Sequence, residues 1–539
     1  VPDDLLVGWV LARLRTFSVK RRQSADWAVS QFPRVSMSPM VTRPLSRWRG
    51  SLTVSEVDQM LPPRRILILG CGSVSQCTLP LLLRQLELAP SAYTVLDMVD
   101  NRARVADELA QGVDYVVGHI TRENLDEGLS HHVGVGDILL DLAWNIDCNA
   151  ILEWCRDHGV RYLNTSVEMW DPYADAAERH PLDRTLYVRH MRIRDMVARW
   201  PDNRGPSAVV EHGANPGLVS HFTKQALEEI AGRALSDGLL GEHRPVEMAL
   251  ADKRYPELSR LLGVKVIHIS ERDTQITDRP KEVDEFCNTW SVEGFYEEGV
   301  APAEMGWGTH ERRLPPNSYQ HAGHGPGNQI CLGQMAFKTW VRSRVPSCEI
   351  VGMVIRHGEA FTINDHLTVW EDGRPVYRPT VHYAYCPADV AMLSMIELEM
   401  RQWSVQPRQR ILNDEIIGGR DELGVLLMGH PYKCWWTGSL LSIEEARALV
   451  PHQNATTLQV AASILGALRW MIERPEEGVR VPDELPWDDV MKIAYPFLGT
   501  CWSGPIDWDP LSSRVNSFDR WSGRFFDRDD PWQFANFQL

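Results

Sequence analysis

A chain of 539 residues and 61.3 kDa has room for two or three domains, and its make-up is ordinary for a globular protein: 44% apolar, 24% charged, 38 glycines and 34 prolines. Those proportions exclude collagen-like, disordered and disulfide-scaffold classes, and no apolar run approaches the roughly 18 residues of a membrane span. A net charge of −16 argues against nucleic acid and for a neutral or cationic partner. The ten cysteines (71, 77, 148, 155, 287, 331, 348, 386, 434 and 501) include no CxxC pair and no finger-like histidine spacing. They read as buried thiols of a reducing, cytoplasmic compartment, with no membrane association and no metal.

Residues 1–50 hold nine basic and three acidic side chains, a local +6 that leaves −22 on the rest. The order of charges around the first apolar run is the reverse of a signal peptide's. Residues 1–60 are therefore expected to be a poorly ordered basic extension, with an organelle address or a nucleic-acid tail as alternatives.

At Arg64–Leu69 a short continuous apolar run begins, the pattern of a strand buried on both faces of a parallel sheet. Gly70-Cys71-Gly72-Ser73-Val74-Ser75 follows, then a helix expected over Leu79–Leu88 with Pro80 in its first turn, then a strand Ala92–Leu96 ending in Asp97. Gly70 permits the tight turn and Gly72 lets the backbone approach a pyrophosphate at the helix N-terminus. Asp97 can accept both ribose hydroxyls and repels a 2′-phosphate, which favours NAD over NADP. Ser75 stands where the fingerprint has its third glycine. Further strands are expected at Val113–Val117, Asp137–Asp141 and Val160–Leu163, with a helix at Ala150–His158. This is a Rossmann-type doubly wound parallel α/β sheet, whose ligands sit beyond the carboxyl ends of its strands. Thr121, Ala143, Thr165 and Glu168 lie just past those ends.

Beyond residue 200, Gly213-Ala214-Asn215-Pro216-Gly217 is a turn cluster leading into a helix over Leu218–Ile230. A strand at Ile267 empties into Glu271 and Asp273, and acids alternate with aromatics through residue 307, including Trp290, Glu297 and Glu298. Carboxylates with an indole face suit a cationic amine; a core tryptophan beside a solvated acidic face is the competing reading. His321 and His324 share a loop without a third ligand, so a metal is not expected.

The segments GANPG (213–217), ERDTQ (271–275), NTWSVEGF (288–295), GWGTHE (306–311), YRPT (377–380), DELGVLL (421–427), QNAT (453–456) and DPWQF (530–534) resemble bacterial homospermidine synthases, of the saccharopine-dehydrogenase-like group. The resemblance runs from about residue 64 to the C-terminus. It implies an NAD-dependent transferase of polyamine biosynthesis, a cytoplasmic homodimer joining two putrescines into homospermidine and ammonia with the cofactor recycled. It assigns Trp290, Glu168, Asn215, Glu271, Glu298, His357 and Asp421 to the substrate site. It assigns Gly70, Gly72, Ser73, Val74, Ser75, Asp97, Thr165, Gly213, Ala214 and Asn215 to NAD, with Thr121 and Ala143 beside them. Glu211-His212 departs from the smaller residues usual before GANPG. The expected organisation is a Rossmann domain over 61–215, an α+β substrate and dimerisation domain over 216–405, and a segment 406–539 returning to pack on the first. The alternatives are a net saccharopine- or carboxynorspermidine-type dehydrogenase, which would present an arginine clamp for a carboxylate, and a non-catalytic Rossmann scaffold.

Overall fold

The computed structural model describes residues 63–172, 174, 178–241, 243–512, 514, 521 and 526–539; the basic extension lies outside them. Strands β1 (Ile66–Leu69), β2 (Tyr93–Asp97), β3 (Asp114–Val117), β4 (Ile138–Asp141), β5 (Arg161–Asn164) and β6 (Gly205–Val209) form an all-parallel sheet, with Glu477–Arg480 as a seventh strand beside β6. The order runs from Glu477–Arg480 through β6, β5, β4, β1 and β2 to β3. The order therefore reverses between β1 and β4, and the crevice there is where such sheets take ligands. All four residues of β1 and of β4 are buried, as the continuous apolar runs require.

Helix α1 (Ser73–Gln85) starts directly after Gly72, so Pro80 sits in its interior and not in its first turn as expected. A proline there cannot donate to the carbonyl of Gln76. That carbonyl accepts from the Gln453 side chain instead, at 3.4 Å, which lets the helix run through the proline. Helix α2 (Cys148–Asp157) and helix α3 (Leu186–Ala198) follow β4 and β5. The first two amides of α3, on Leu186 and Tyr187, are capped by the buried Glu304 carboxylate at 2.7 and 2.9 Å.

A second, ten-stranded mixed sheet is centred on β7 (Val266–Asp273), which pairs in parallel with β8 (Thr380–Cys386) and antiparallel with β9 (Arg420–Met428). Strand β10 (Cys434–Ser442) extends it beyond β9. Helix α4 (Leu218–Ser236) starts at the 213–217 turn and is buried along most of its length in the core that also holds Ile267 and Ile269 of β7. Gly217 has φ +131, and a Cβ there would lie 1.8 Å from the Gly213 carbonyl, so only glycine closes this turn. Helices α5 (Val292–Val300) and α6 (Glu359–His366) complete the walls described below.

The last part of the chain does more than return to the first sheet. It supplies β9 and β10 of the second sheet, then helix α7 (Ala455–Glu473), then the seventh strand of the first. By length and composition α7 is apolar enough to cross a membrane, but 83% of its apolar window is buried inside the protein. It packs against α1 and is a core helix.

Candidate active site

Both sheets contribute to one cavity of about 210 Å³. From the first sheet come Val74 of α1, Ala143 and Trp144 after β4, and Thr165–Glu168 after β5; from the turn come Gly213–Pro216. The opposite wall is Glu271 of β7, Trp290, Glu297 and Glu298 of the α5 region, Arg356-His357-Gly358 before α6, and Tyr383 of β8.

The turn after β1 has the chemistry of a pyrophosphate cradle. Gly70 has φ +85, and a Cβ would come within 2.8 Å of the Leu142 carbonyl. A Cβ on Gly72 would meet nothing within 4 Å, and no side chain caps the first turn of α1, so its amides are free for an anion. Ser75, buried, turns its hydroxyl onto the Gly70 carbonyl at 2.6 Å and so closes the turn that a third glycine would leave open. Asp97 ends β2 with its carboxylate fixed by the Val99 amide at 2.7 Å and the Cys71 amide at 2.5 Å. Thr121 follows β3, the edge strand, where its amide bonds Asn124; like Gly70, Gly72 and Asp97 it lies outside the lining of the 210 Å³ cavity.

Alternation along β7 puts Ile267, Ile269, Glu271 and Asp273 on one face. The same face is core at one end and acidic at the other. Register sets Tyr385 of β8 opposite Glu271, and Asp421 of β9 opposite Asp273. The Tyr383 hydroxyl donates to Glu271, and Tyr383 stacks on Tyr385 with ring centres 5.2 Å apart. Burial pushes the Glu271 carboxyl up to about 8. Asp421 is fully buried, accepts the Thr456 hydroxyl at 2.6 Å, and sits behind Thr456, which lines the cavity in its place. Burial, and then the neighbouring Glu271 and Asp273, raise Asp421 well above the carboxylate range.

Trp290 is half-buried, its indole N–H donating to the Tyr385 hydroxyl at 3.1 Å. Gly294 permits that placement, since a Cβ there would lie 2.8 Å from the indole ring. Ser291 caps α5 by accepting the Gly294 amide at 3.0 Å. The last turn of α5 carries Glu297 and Glu298. Glu298 lies 3.0 Å from His357, which is also 3.3 Å from Glu359. Burial opposes a charge on His357, but the two carboxylates win and hold its pKa well above the ordinary imidazole value.

Glu297 is clamped between Arg189 and Arg356. Burial alone would raise it, but the two guanidiniums bring it down to about 2. Glu168 sits across the cavity with one oxygen on the Ser166 hydroxyl at 3.0 Å and the other shielded and unpartnered. Burial, and then Glu297, push it up to about 7. The geometry thus brings together Trp290, Glu168, Asn215, Glu271, Glu298 and His357, with Val74, Ala143, Thr165, Gly213 and Ala214. It adds Tyr383, Arg189, Arg356, Glu211 and Thr456, none of which the sequence pattern singled out for the site; only Glu297 had a signal, as one of the acids after Phe295. Among the described residues, no group of three or more metal-ligating side chains is assembled. His321 stacks on Tyr187, and His324 pairs with Asp195.

Comparison with known proteins matches residues 66–209 to the family described as the saccharopine dehydrogenase NADP binding domain and residues 213–502 to the saccharopine dehydrogenase C-terminal domain. A homospermidine synthase of Mesorhizobium japonicum is 39% identical over 481 residues, which is 87% of this chain and 95% of that protein. A homospermidine synthase of Blastochloris viridis is 39% identical over 477 residues, 87% of this chain and 96% of that one. The crystal structure of the Legionella pneumophila homospermidine synthase in complex with NAD superposes with a TM-score of 0.78 at 36% identity, covering 88% of this chain and 98% of the other.

Proposed function

Because the chain belongs to the homospermidine synthase family, within the saccharopine-dehydrogenase-like group, we propose that it joins two molecules of putrescine into homospermidine and releases ammonia. The observation that carries the reading is an indole face, Trp290, on the wall of a cavity ringed by Glu168, Glu271 and Glu298. The cradle at Gly70–Ser75 with Asp97 fits NAD, and Asp97 disfavours the 2′-phosphate of NADP. NAD, when bound there, supplies the oxidant for the first half of the reaction and the reductant for the second, so no net redox change remains.

The residues divide the remaining work. Glu271 and Glu298, the second of which adds to the charge cost of the first, hold one ammonium of the diamine. Glu168, on the opposite wall, serves the second amine. An alkyl ammonium, with a pKa of about 10.4 by the lysine reference, must lose a proton before its carbon is oxidised. Carboxyls poised at about 7 and about 8 are matched to exchanging that proton near neutral pH. Trp290 steadies the cationic iminium stage without attacking it, as a thiolate or carboxylate could.

The dehydrogenase alternative needs arginines for a substrate carboxylate. Arg189 and Arg356 do line the cavity, but both are bonded to Glu297, and their remaining bonds go to the carbonyls of Val167 and Arg184. The clamp is already occupied. We place the enzyme in the cytoplasm as a homodimer, supported by the charge balance and by exposed Leu393, Ile396 and Met400 along the helix Asp389–Met400. The decisive experiment supplies NAD far below putrescine and follows products by mass spectrometry and free NADH by absorbance. Homospermidine should accumulate over many turnovers with NADH flat; stoichiometric NADH release overturns the transferase reading.

A further inference from the structure

A second cavity, about 410 Å³, lies between α3, α6 and residues 479–484. Its rim residues Arg194, Ala198 and Glu484 are exposed, so it meets solvent. We propose that the buried pair Glu211–His190 conducts protons between the catalytic cavity and this second cavity. The proposal rests on the amine chemistry of the proposed function, because it is that chemistry which must take a proton off an ammonium and later return one to departing ammonia.

The geometry joins the two spaces. Glu211 lines the catalytic cavity and His190 lines the second. His190 Nε2 and Glu211 Oε2 are 2.8 Å apart, with each side chain 3% exposed. Three features hold Glu211 there. Its backbone has φ +61, a left-handed conformation that a long side chain adopts only when its surroundings enforce it. Its amide donates to the Asn164 side chain at 2.7 Å. At Gly358, whose backbone is ordinary right-handed helix, a Cβ would lie 1.9 Å from Glu211 Oε2, so the chain forgoes a side chain to admit the carboxylate. A buried ion pair stabilises a fold no better than apolar side chains of the same volume, so stability alone does not account for this arrangement.

Two other side-chain routes out of the catalytic cavity are poorer relays. Arg189, Glu297 and Arg356 also border a further cavity of about 50 Å³, but guanidiniums keep their protons at working pH. His357 is held between Glu298, which lines the catalytic cavity itself, and Glu359, which is fully buried. Around His190 stand the Phe361 ring at 5.0 Å, Thr362, Asp365 and His366 from α6, Arg480, Asp483 and Glu484 from the 479–484 segment, and Arg194 on its own helix, itself bonded to Asp365 at 2.6 Å. Glu211 is also acted on by His357 and accepts from the Val167 amide. Burial pushes Glu211 up, yet His190 and His357 together keep it below the ordinary carboxylate value, so it stays a proton acceptor. Thr362 Oγ1 and Asp483 Oδ2, in side chains 3% and 4% exposed, have no protein partner and can order water in the second cavity.

The step balances. The proton that Glu168 or Glu271 takes from a substrate ammonium passes through the cavity to the Glu211 carboxylate, while His190, protonated in the ion pair, releases one to water in the second cavity. A proton returns by the same path when ammonia departs as ammonium, and no electrons move.

The test compares wild type with His190→Gln, which keeps a hydrogen-bonding group but cannot titrate, and with His190→Ala, which leaves space reached from the second cavity. Putrescine turnover is measured against pH in water and in deuterium oxide, with and without imidazole, alongside melting curves. The expectation is a fall in kcat of about tenfold or more with little change in KM. The solvent isotope effect should increase, and imidazole should restore His190→Ala. Unchanged kcat in His190→Gln overturns the proposal. So does a loss that imidazole leaves untouched and that tracks the melting temperature. Wild-type protein that makes no homospermidine overturns the function reading, and the proposal with it.

Discussion

Replacing Trp290 by Phe and by Ala separates a chemical role from a packing one. The ring lies on the cavity wall, half-buried, anchored by one hydrogen bond to Tyr385 and by its fit over Gly294. A desolvated cation–π contact is worth about 2 kcal/mol, which becomes about thirtyfold in kcat if it forms only with the charged intermediate. Trp290→Ala should lose about that much. Phe keeps a ring with a weaker quadrupole, and a loss of about 1 kcal/mol gives about fivefold. Stability should change less, because the cavity side of the ring buries nothing. The Tyr385 hydrogen bond accounts for about 1 kcal/mol, against the roughly 3–5 kcal/mol that deleting a fully enclosed tryptophan costs. The assay is steady-state kinetics per folded molecule, paired with thermal melts, on wild type and both variants. Wild-type turnover in Trp290→Phe, with a loss near 4 kcal/mol (order of magnitude) in Trp290→Ala, would return the residue to the core and refute the reasoning.

Glu168 at about 7 and Glu271 at about 8 stand above the unfolded carboxyl value of about 4.3, so the folded chain binds more protons between those limits. Their contribution is fully present below about pH 4 and is lost as pH rises through 7 and 8. Putrescine pairs with the ionised forms, so the rise in Tm that it produces should be larger near pH 8.5 than near pH 6, and Glu271→Gln should flatten the difference. Equal shifts at both pH values, measured by calorimetry, contradict the assignment of these two acids. For the dimer, Leu393→Arg with Met400→Glu should convert the protein to a monomer in sedimentation; a wild type that already sediments as a monomer removes the dimer from the reading.

What could be read from the sequence was local. Gly70, Gly72 and Asp97 belong to one strand–turn–helix–strand unit, so their roles follow from order alone, and the parallel strands after them follow from continuous apolar runs. The start of α1 is not legible because Pro80 signals a first turn, while the compensation for an interior proline comes from Gln453, far along the chain. The seventh strand, Glu477–Arg480, was missed for the same reason: a four-residue edge strand has little pattern of its own, and its pairing with β6 is purely tertiary. In the site, Glu271 and Trp290 announced themselves by composition. Tyr383 and Tyr385 did not, since only the parallel register of β8 on β7 brings them to Glu271. Thr121 follows the strand at the edge of the sheet, where position after a strand says least about distance from the crevice between β1 and β4. Asp421 lies one side chain deeper than a contact residue, behind Thr456.

The charges of the cavity suit an amine. Five carboxylates line it, and three have cationic partners within the protein: Glu297 with two arginines, Glu298 with His357, Glu211 with His190. Among the described residues, Glu168 and Glu271 form no ion pair, and these are the two whose carboxyls are held near neutrality by burial. Burying an unpaired carboxylate costs the fold free energy unless a proton or a cation is supplied. Protons supply it in the free protein. A diamine offers two ammoniums to two such acids, and in displacing their protons it recovers the cost of burying them. A carboxylate-bearing amine would bring a negative charge to a cavity whose guanidiniums are already bonded to Glu297. Under the proposed function, selectivity for an uncharged carbon chain with cationic ends would follow from which acids are left unpaired, and the same two acids would be those able to exchange the proton that the chemistry requires.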